Sequence, residues 1–174
     1  MRMNMNILSF LLKKPKDLQA YTPDSAFESA GVMLKAEIDR VFGHSIAIRE
    51  VDCGSDNAAE IELANLSAPH YDVERFGITF VASPRHADIL AVTGVVTHGM
   101  KEALIKTYEA TPEPKFVIAV GDDACTGGMY IGTYAVVGPV DAVIPVDLKI
   151  PGNPPTPAAI LEGLLTLMNV AKKR

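Results

Sequence analysis

The chain has 174 residues, 48% of them hydrophobic, no tryptophan and a formal net charge of −5. That is length for one well-buried domain and short for two, and a mean hydropathy of +0.18 suits an apolar α/β core. The acidic balance lacks the basic footprint of a nucleic-acid binder, and no run of about 20 apolar residues offers a transmembrane helix.

Residues 1–23 read as an N-terminal arm ahead of a single domain over 24–174. In the arm, Ile7, Leu8, Phe10, Leu11 and Leu12 precede Lys13, Lys14 and Lys16. A secretory signal has the opposite order and a small-residue cleavage site, so none is read here. Two readings stand: a short arm packed on the domain, or an amphipathic segment docked on a membrane-embedded partner. One lipid-facing signal is too little for a free-standing anchor. Asp24 or Ser25 can cap a helix reaching about Phe42, with Phe27, Ala30, Leu34, Ile38 and Val41 on one face. Residues 45–51 alternate as a strand and lead into Cys53-Gly54-Ser55. A short helix is expected over 60–66.

Further on, strands are predicted at 78–81, 88–94 and 115–121, with a helix over 101–109 stopped near Thr111-Pro112. Strands this apolar, separated by helices, indicate an α/β fold with a mostly parallel sheet covered on both faces. Residues 142–146 are predicted as a strand, placed at an edge by Pro145. Thr156 caps and Pro157 opens the last helix, whose buried stripe is Ile160, Leu164, Leu167 and Ala171. Lys172, Lys173 and Arg174 suit its C-terminal dipole. There is no internal repeat, no P-loop, no dinucleotide fingerprint and no histidine pair at metal spacing. The only cysteines are Cys53 and Cys125. Without a secretion signal a structural disulfide is a poor default for them.

Several blocks carry a family resemblance. They are Val51-Asp52-Cys53-Gly54-Ser55, Tyr71-Asp72-Val73-Glu74-Arg75-Phe76-Gly77 and Ser83-Pro84-Arg85-His86-Ala87-Asp88. Gly121-Asp122, Cys125-Thr126-Gly127-Gly128 and Ile150-Pro151-Gly152 continue them. Over roughly 45–170 the chain resembles the small, cluster-carrying 20 kDa subunit family. That family is shared by respiratory complex I and the membrane-bound group 4 nickel–iron hydrogenases. The likeness is nearest to the small subunit of formate hydrogenlyase and hydrogenase-4. The resemblance implies a flavodoxin-like fold with one 4Fe–4S cluster as an electron relay. It also implies a large-subunit partner, membrane-embedded antiporter-like and anchoring subunits, and a cytoplasmic position, peripheral on the membrane through the complex.

Against that family the chain departs at the cluster. The positions matching the four cysteine ligands are Asp56, Ala59, Asp123 and Asn153. A 4Fe–4S cluster is held by thiolates; Ala59 cannot ligate, and oxygen donors match iron–sulfur chemistry poorly. The expectation is therefore no cofactor, with catalysis by this chain alone not expected: a cluster-less structural subunit linking a large subunit to the membrane arm of an ion-translocating complex. Two alternatives stand beside it. One is electron transfer through an unusual site of Cys53, Asp56, Asp123 and Cys125. The other is a free-standing flavodoxin-like domain binding a small molecule. Asp56, Asp123 and Glu60 are candidates for a proton relay, or simply groups that solvate the former ligand loops and complement a helix dipole. Two carboxylates brought together there would raise one another's pKa. By resemblance, Arg75, Arg85 and His86 are candidates for the partner interface, or else a polar turn.

Overall fold

Five short parallel strands carry the architecture, and their order decides where a site can form. The computed structural model describes residues 24–172; the N-terminal arm, Lys173 and Arg174 lie outside them. The strands are β1 (Ile46–Asp52), β2 (Ile78–Phe80), β3 (Ile89–Thr93), β5 (Phe116–Val120) and β7 (Leu148–Ile150), in the order β2-β1-β3-β5-β7. Every pairing is parallel, with Ile48 beside Ile89 and Ile89 beside Phe116. This is the flavodoxin-type doubly wound order, in which the chain switches direction between β1 and β3 and leaves a crevice at the strands' C-terminal ends. A two-stranded antiparallel ribbon, β4 (Val96–Thr97) with β6 (Val136–Gly138), lies outside the main sheet.

Helices cover both faces because the strands are apolar on both. On one face α1 (Ser25–Val41), α2 (Ala58–Leu66) and α5 (Pro157–Ala171) bury Leu34, Ile38, Leu63, Leu66, Ile160, Leu164 and Leu167 against Ile46, Ile48, Ile89 and Ile118. On the other, α3 (Lys101–Ala110) and α4 (Asp122–Thr126) close over Val51, Cys53, Leu90, Val92, Val117 and Ala119. Strands β3 and β5 are buried along their whole length, the signature of a parallel sheet sandwiched by helices. The caps follow the sequence: Asp24 accepts from Ala26 N at 2.9 Å, and Thr156 accepts from Ala159 N at 3.2 Å with Pro157 next.

One expected strand is corrected. Residues 142–146 form no strand; a 3-10 turn, Val140–Ala142, precedes them, and the edge strand is β7 just beyond. Pro145 has no N–H for a ladder, so pairing begins only at Asp147, whose N–H donates to Val117 O and whose carboxylate accepts from Val117 N, both at 2.8 Å. The ribbon, α4 and the 3-10 turn Val73–Phe76 are too short for a periodicity to announce them.

Candidate functional site

Four loops leave the C-terminal ends of β1, β3, β5 and β7 and meet at the crevice. The four positions matched to cluster ligands come together there: Asp56, Ala59, Asp123 and Asn153 all line one pocket, with Gly94, Gly121 and Gly152 as its backbone walls. Its volume is about 10 Å³, about the room one water molecule needs. A Cβ at Gly94 would lie 2.6 Å from Ser55 Cα, and one at Gly152 would lie 2.5 Å from Pro155 Cα, so the loops pack backbone against backbone.

Hydrogen bonds internal to the chain hold these loops. Asp52 Oδ1 accepts from Gly54 N at 2.8 Å and Ser55 N at 2.9 Å, fixing the turn after β1. Asp56 Oδ1 accepts from Ala58 N at 3.0 Å, one of the N–H groups that a helix start leaves free. Asp122 ties the β5 loop to the β7 loop from both sides. Its N–H donates to Gly152 O at 2.8 Å, and its Oδ1 accepts from Gly152 N at 2.8 Å. Gly128 passes so close to Asp123 that a Cβ there would run into Asp123 Oδ1.

The electrostatics are those of an acidic site. Burial, then the charges of Asp56 and Asp122, push the Asp123 carboxyl above the ordinary aspartate value, as two carboxylates converging on one place predict. On its outer side the pocket opens into a depression of about 340 Å³ lined by Asp56, Asp122, Asp123 and Asn153, with Met129 and Tyr130 on its rim. In the same segment Met129 (84% exposed), Ile131 and Tyr134 (98% exposed) are open to solvent.

The two thiols are elsewhere in character. Cys53 and Cys125 are free and buried in the apolar cluster on the α3 and α4 side of the sheet, Cys125 being a residue of α4 itself. Burial pushes the Cys53 thiol up to about 12, and the Cys125 thiol up to about 11 against the opposing charge of Lys149. Cys125 Sγ donates to Ala119 O at 3.4 Å. Among the described residues no group of three or more His, Cys, Asp or Glu side chains is arranged to hold a metal ion. The four matched positions offer two carboxylates, an amide and, at Ala59, a methyl that cannot ligate. That set does not fit a 4Fe–4S cluster, which takes four thiolates.

The remaining candidates lie apart. Glu60, on the first turn of α2, has both carboxylate oxygens buried with no hydrogen-bond partner among the described residues, and it does not line the crevice. Arg75 is committed within the chain: it donates to Glu28 Oε2 at 2.8 Å and Oε1 at 2.5 Å, and its guanidinium lies 4.4 Å from the Phe76 ring centroid. Arg85 and His86 are exposed in the 3-10 turn Pro84–His86, which precedes β3 and packs towards α3 rather than joining the crevice loops. Two acids of consequence escape a reading by motif. Asp122 could be found as the first residue after a strand-ending glycine. Glu50 could be found as a charge at an inward position of β1, in register with Ile46 and Ile48.

Residues 56–167 match the family described as NADH ubiquinone oxidoreductase, 20 Kd subunit. The chain is 37% identical over 160 residues to formate hydrogenlyase subunit 7 of Escherichia coli, covering 92% of this chain but only 63% of that protein. It is 44% identical over 138 residues to the probable membrane-bound hydrogenase subunit mbhJ of Pyrococcus furiosus, covering 79% of this chain and 83% of that one. Among solved structures, a chain of the membrane-bound sulfane sulfur reductase, an archaeal respiratory membrane complex, superposes with a TM-score of 0.67 at 34% identity. That match covers 77% of this chain and 75% of the other.

Proposed function

The chain belongs to the NADH ubiquinone oxidoreductase 20 kDa subunit family, and on that premise we propose that it is a cluster-less, architectural small subunit of a membrane-associated complex. The observation that carries this reading is the crevice itself. The four positions matched to ligands converge at one place, and none of them offers a thiol. The two cysteines the chain does have sit in the apolar core, apart from the residues that line the crevice. Carboxylate and backbone hydrogen bonds do at these loops the fastening that a cluster does elsewhere in the family.

What the subunit then keeps is a surface. The acidic depression has Met129 in its lining, and Ile131 and Tyr134, a few residues on in the same segment, are exposed as well; large apolar and aromatic residues exposed in one segment mark partner contacts. The relatives named above are subunits of hydrogenase and respiratory assemblies. We therefore assign this face to a large subunit of the hydrogenase or complex I type. The whole would be anchored to membrane-embedded, antiporter-like subunits at the cytoplasmic face. Without a relay in this subunit, electrons do not pass through the crevice. The complex would couple ion movement to chemistry that reaches it by another route.

Co-purification tests the assignment. A tagged full chain expressed with its genomic neighbours should bring down a hydrogenase-like large subunit, and M129D with Y134D should weaken that capture at least tenfold. Capture unaffected by both substitutions would move the interface elsewhere, and a chain that purifies alone would leave the free-standing reading standing.

A further inference from the structure

The edge of the sheet beside β1 is unfinished. Strand β1 runs from Ile46 to Asp52, but its neighbour β2 pairs only with Ile46, Ala47 and Ile48. Alternate residues of β1 turn their backbone groups towards β2: Ile46 N–H donates to Gly77 O, and Ile48 O accepts from Val81 N, both at 2.9 Å. The next residue of that set is Glu50. After Val81 the chain leaves for the 3-10 turn Pro84–His86, and among the described residues no backbone group bonds to the Glu50 N–H or C=O on that side. A cleft of about 440 Å³ occupies the gap, walled by Leu63, Ala64 and Ser67 from α2 and its C-terminal cap, and by Phe80 and Val81. Phe80 packs with the apolar cluster on the α2 side of the sheet and Val81 with the cluster on the other. The cleft therefore straddles the sheet edge, where a continuation of β2 would lie. Arg49 and Glu50 both line it, and successive strand residues point to opposite faces. The half-buried Arg49 makes no hydrogen bond and no ion pair among the described residues.

We propose that this slot takes an extended segment of a partner protein, added to β1 beyond the end of β2, with an acidic side chain of that segment on Arg49. An open strand edge is a template for such pairing. Added strands are held by main-chain bonds and selected by pockets for alternate side chains. Here the Glu50 N–H and C=O supply the main-chain bonds. On one face the segment's carboxylate meets the unpaired Arg49 guanidinium, whose planar fork matches it. On the other face its neighbouring residue meets Glu50, where a hydroxyl or amide donor fits. Leu63 and Phe80 give the segment apolar walls. This interface is separate from the Met129–Tyr134 segment, and it does not depend on whether the crevice holds a cluster.

Hydrogen exchange read at single amides tests this, on the full chain alone and on the chain co-expressed and purified with its genomic neighbours. The Glu50 amide should exchange freely in the chain alone and slow by about tenfold or more in the assembly. R49A should return it to the rate of the free chain, whereas R40A, which removes a guanidinium paired with Glu37 on α1, should not. Ala64→Trp fills the cleft from an exposed helix position and should abolish the protection too, so the reading does not require R49A to fold. A photo-cross-linking residue in place of Ser67 should capture a partner peptide that contains Asp or Glu. A Glu50 amide already slow in the chain alone, its slot filled by residues 1–23 or a second copy, overturns the proposal. So does an amide as fast in the assembly as outside it, a captured peptide without an acid, or a chain that purifies without partners.

Discussion

Replacing Asp122 by alanine should cut the one side-chain tie between the loops that follow β5 and β7. The bond removed is Gly152 N to Asp122 Oδ1, 2.8 Å and partly buried. A hydrogen bond to a charged group contributes about 1.5–3 kcal/mol, and its loss leaves the Gly152 N–H without an acceptor. The backbone bond from Asp122 N to Gly152 O survives the substitution, which favours the lower half of that range. We expect a loss of about 2 kcal/mol. For a chain of this length that is a fall in Tm of about 4–8 °C. Asp122→Asn keeps an acceptor oxygen without the charge and should cost about 1 kcal/mol. Urea denaturation of the two variants, followed by far-UV circular dichroism with a shared m-value, measures both. An Asp122→Ala protein within about 0.5 kcal/mol of wild type, the ordinary range for surface substitutions, refutes the fastening role. Equal losses for Ala and Asn would refute the hydrogen-bond account of it.

Other consequences are as direct. Asp123 binds its proton more tightly folded than unfolded. Its contribution is complete at pH values below the ordinary aspartate pKa and is lost as pH rises through the raised, folded one. Asp123→Asn should therefore gain stability relative to wild type as pH increases from 4 to 8, read as a growing difference in urea midpoint. Gly128 has φ +50° and no room for a Cβ beside Asp123 Oδ1; Gly128→Ala should cost about 1–3 kcal/mol, and combining it with Asp123→Ala should cost less than the sum. Leu164 is fully buried between α5 and the sheet, so Leu164→Ala should lose about 2–5 kcal/mol by thermal or urea unfolding. Cys53 and Cys125 should resist a thiol reagent in the native chain and react completely in guanidinium, since buried protonated thiols are poor nucleophiles. Rapid native labelling of either would reopen a cysteine-based site.

The legible parts of this fold were those with length and period. Leu34 and Ile38 on one helix, Ile160, Leu164 and Leu167 on another, and the unbroken apolar run from Phe116 to Val120 each carry enough residues to fix an element and its buried face. The strand Leu148–Ile150 was not legible. It is three residues long, has a lysine at its centre, and follows a more convincing apolar run that Pro145 keeps out of the sheet. At the site, the family resemblance matched Asp56, Asp123 and Asn153 to ligand positions, and the sheet order brings all three to one crevice. The work done by Asp122 was invisible, since its partner, Gly152 N, is thirty residues away and only the sheet order brings them together. Arg75 had the look of a surface contact, and only the packing of the Val73–Phe76 turn on α1 reveals Glu28 as its partner.

The central claim concerns the crevice, and metal content tests it most directly. Iron and acid-labile sulfide would be measured on the full chain purified without oxygen together with its partners, with an EPR spectrum after dithionite reduction. The cluster-less account predicts neither iron nor sulfide at this subunit, and no signal assignable to it, in a folded chain that still assembles. About four irons and four sulfides per chain, with a reduced-cluster signal abolished by substituting Asp56 or Asp123, would contradict it.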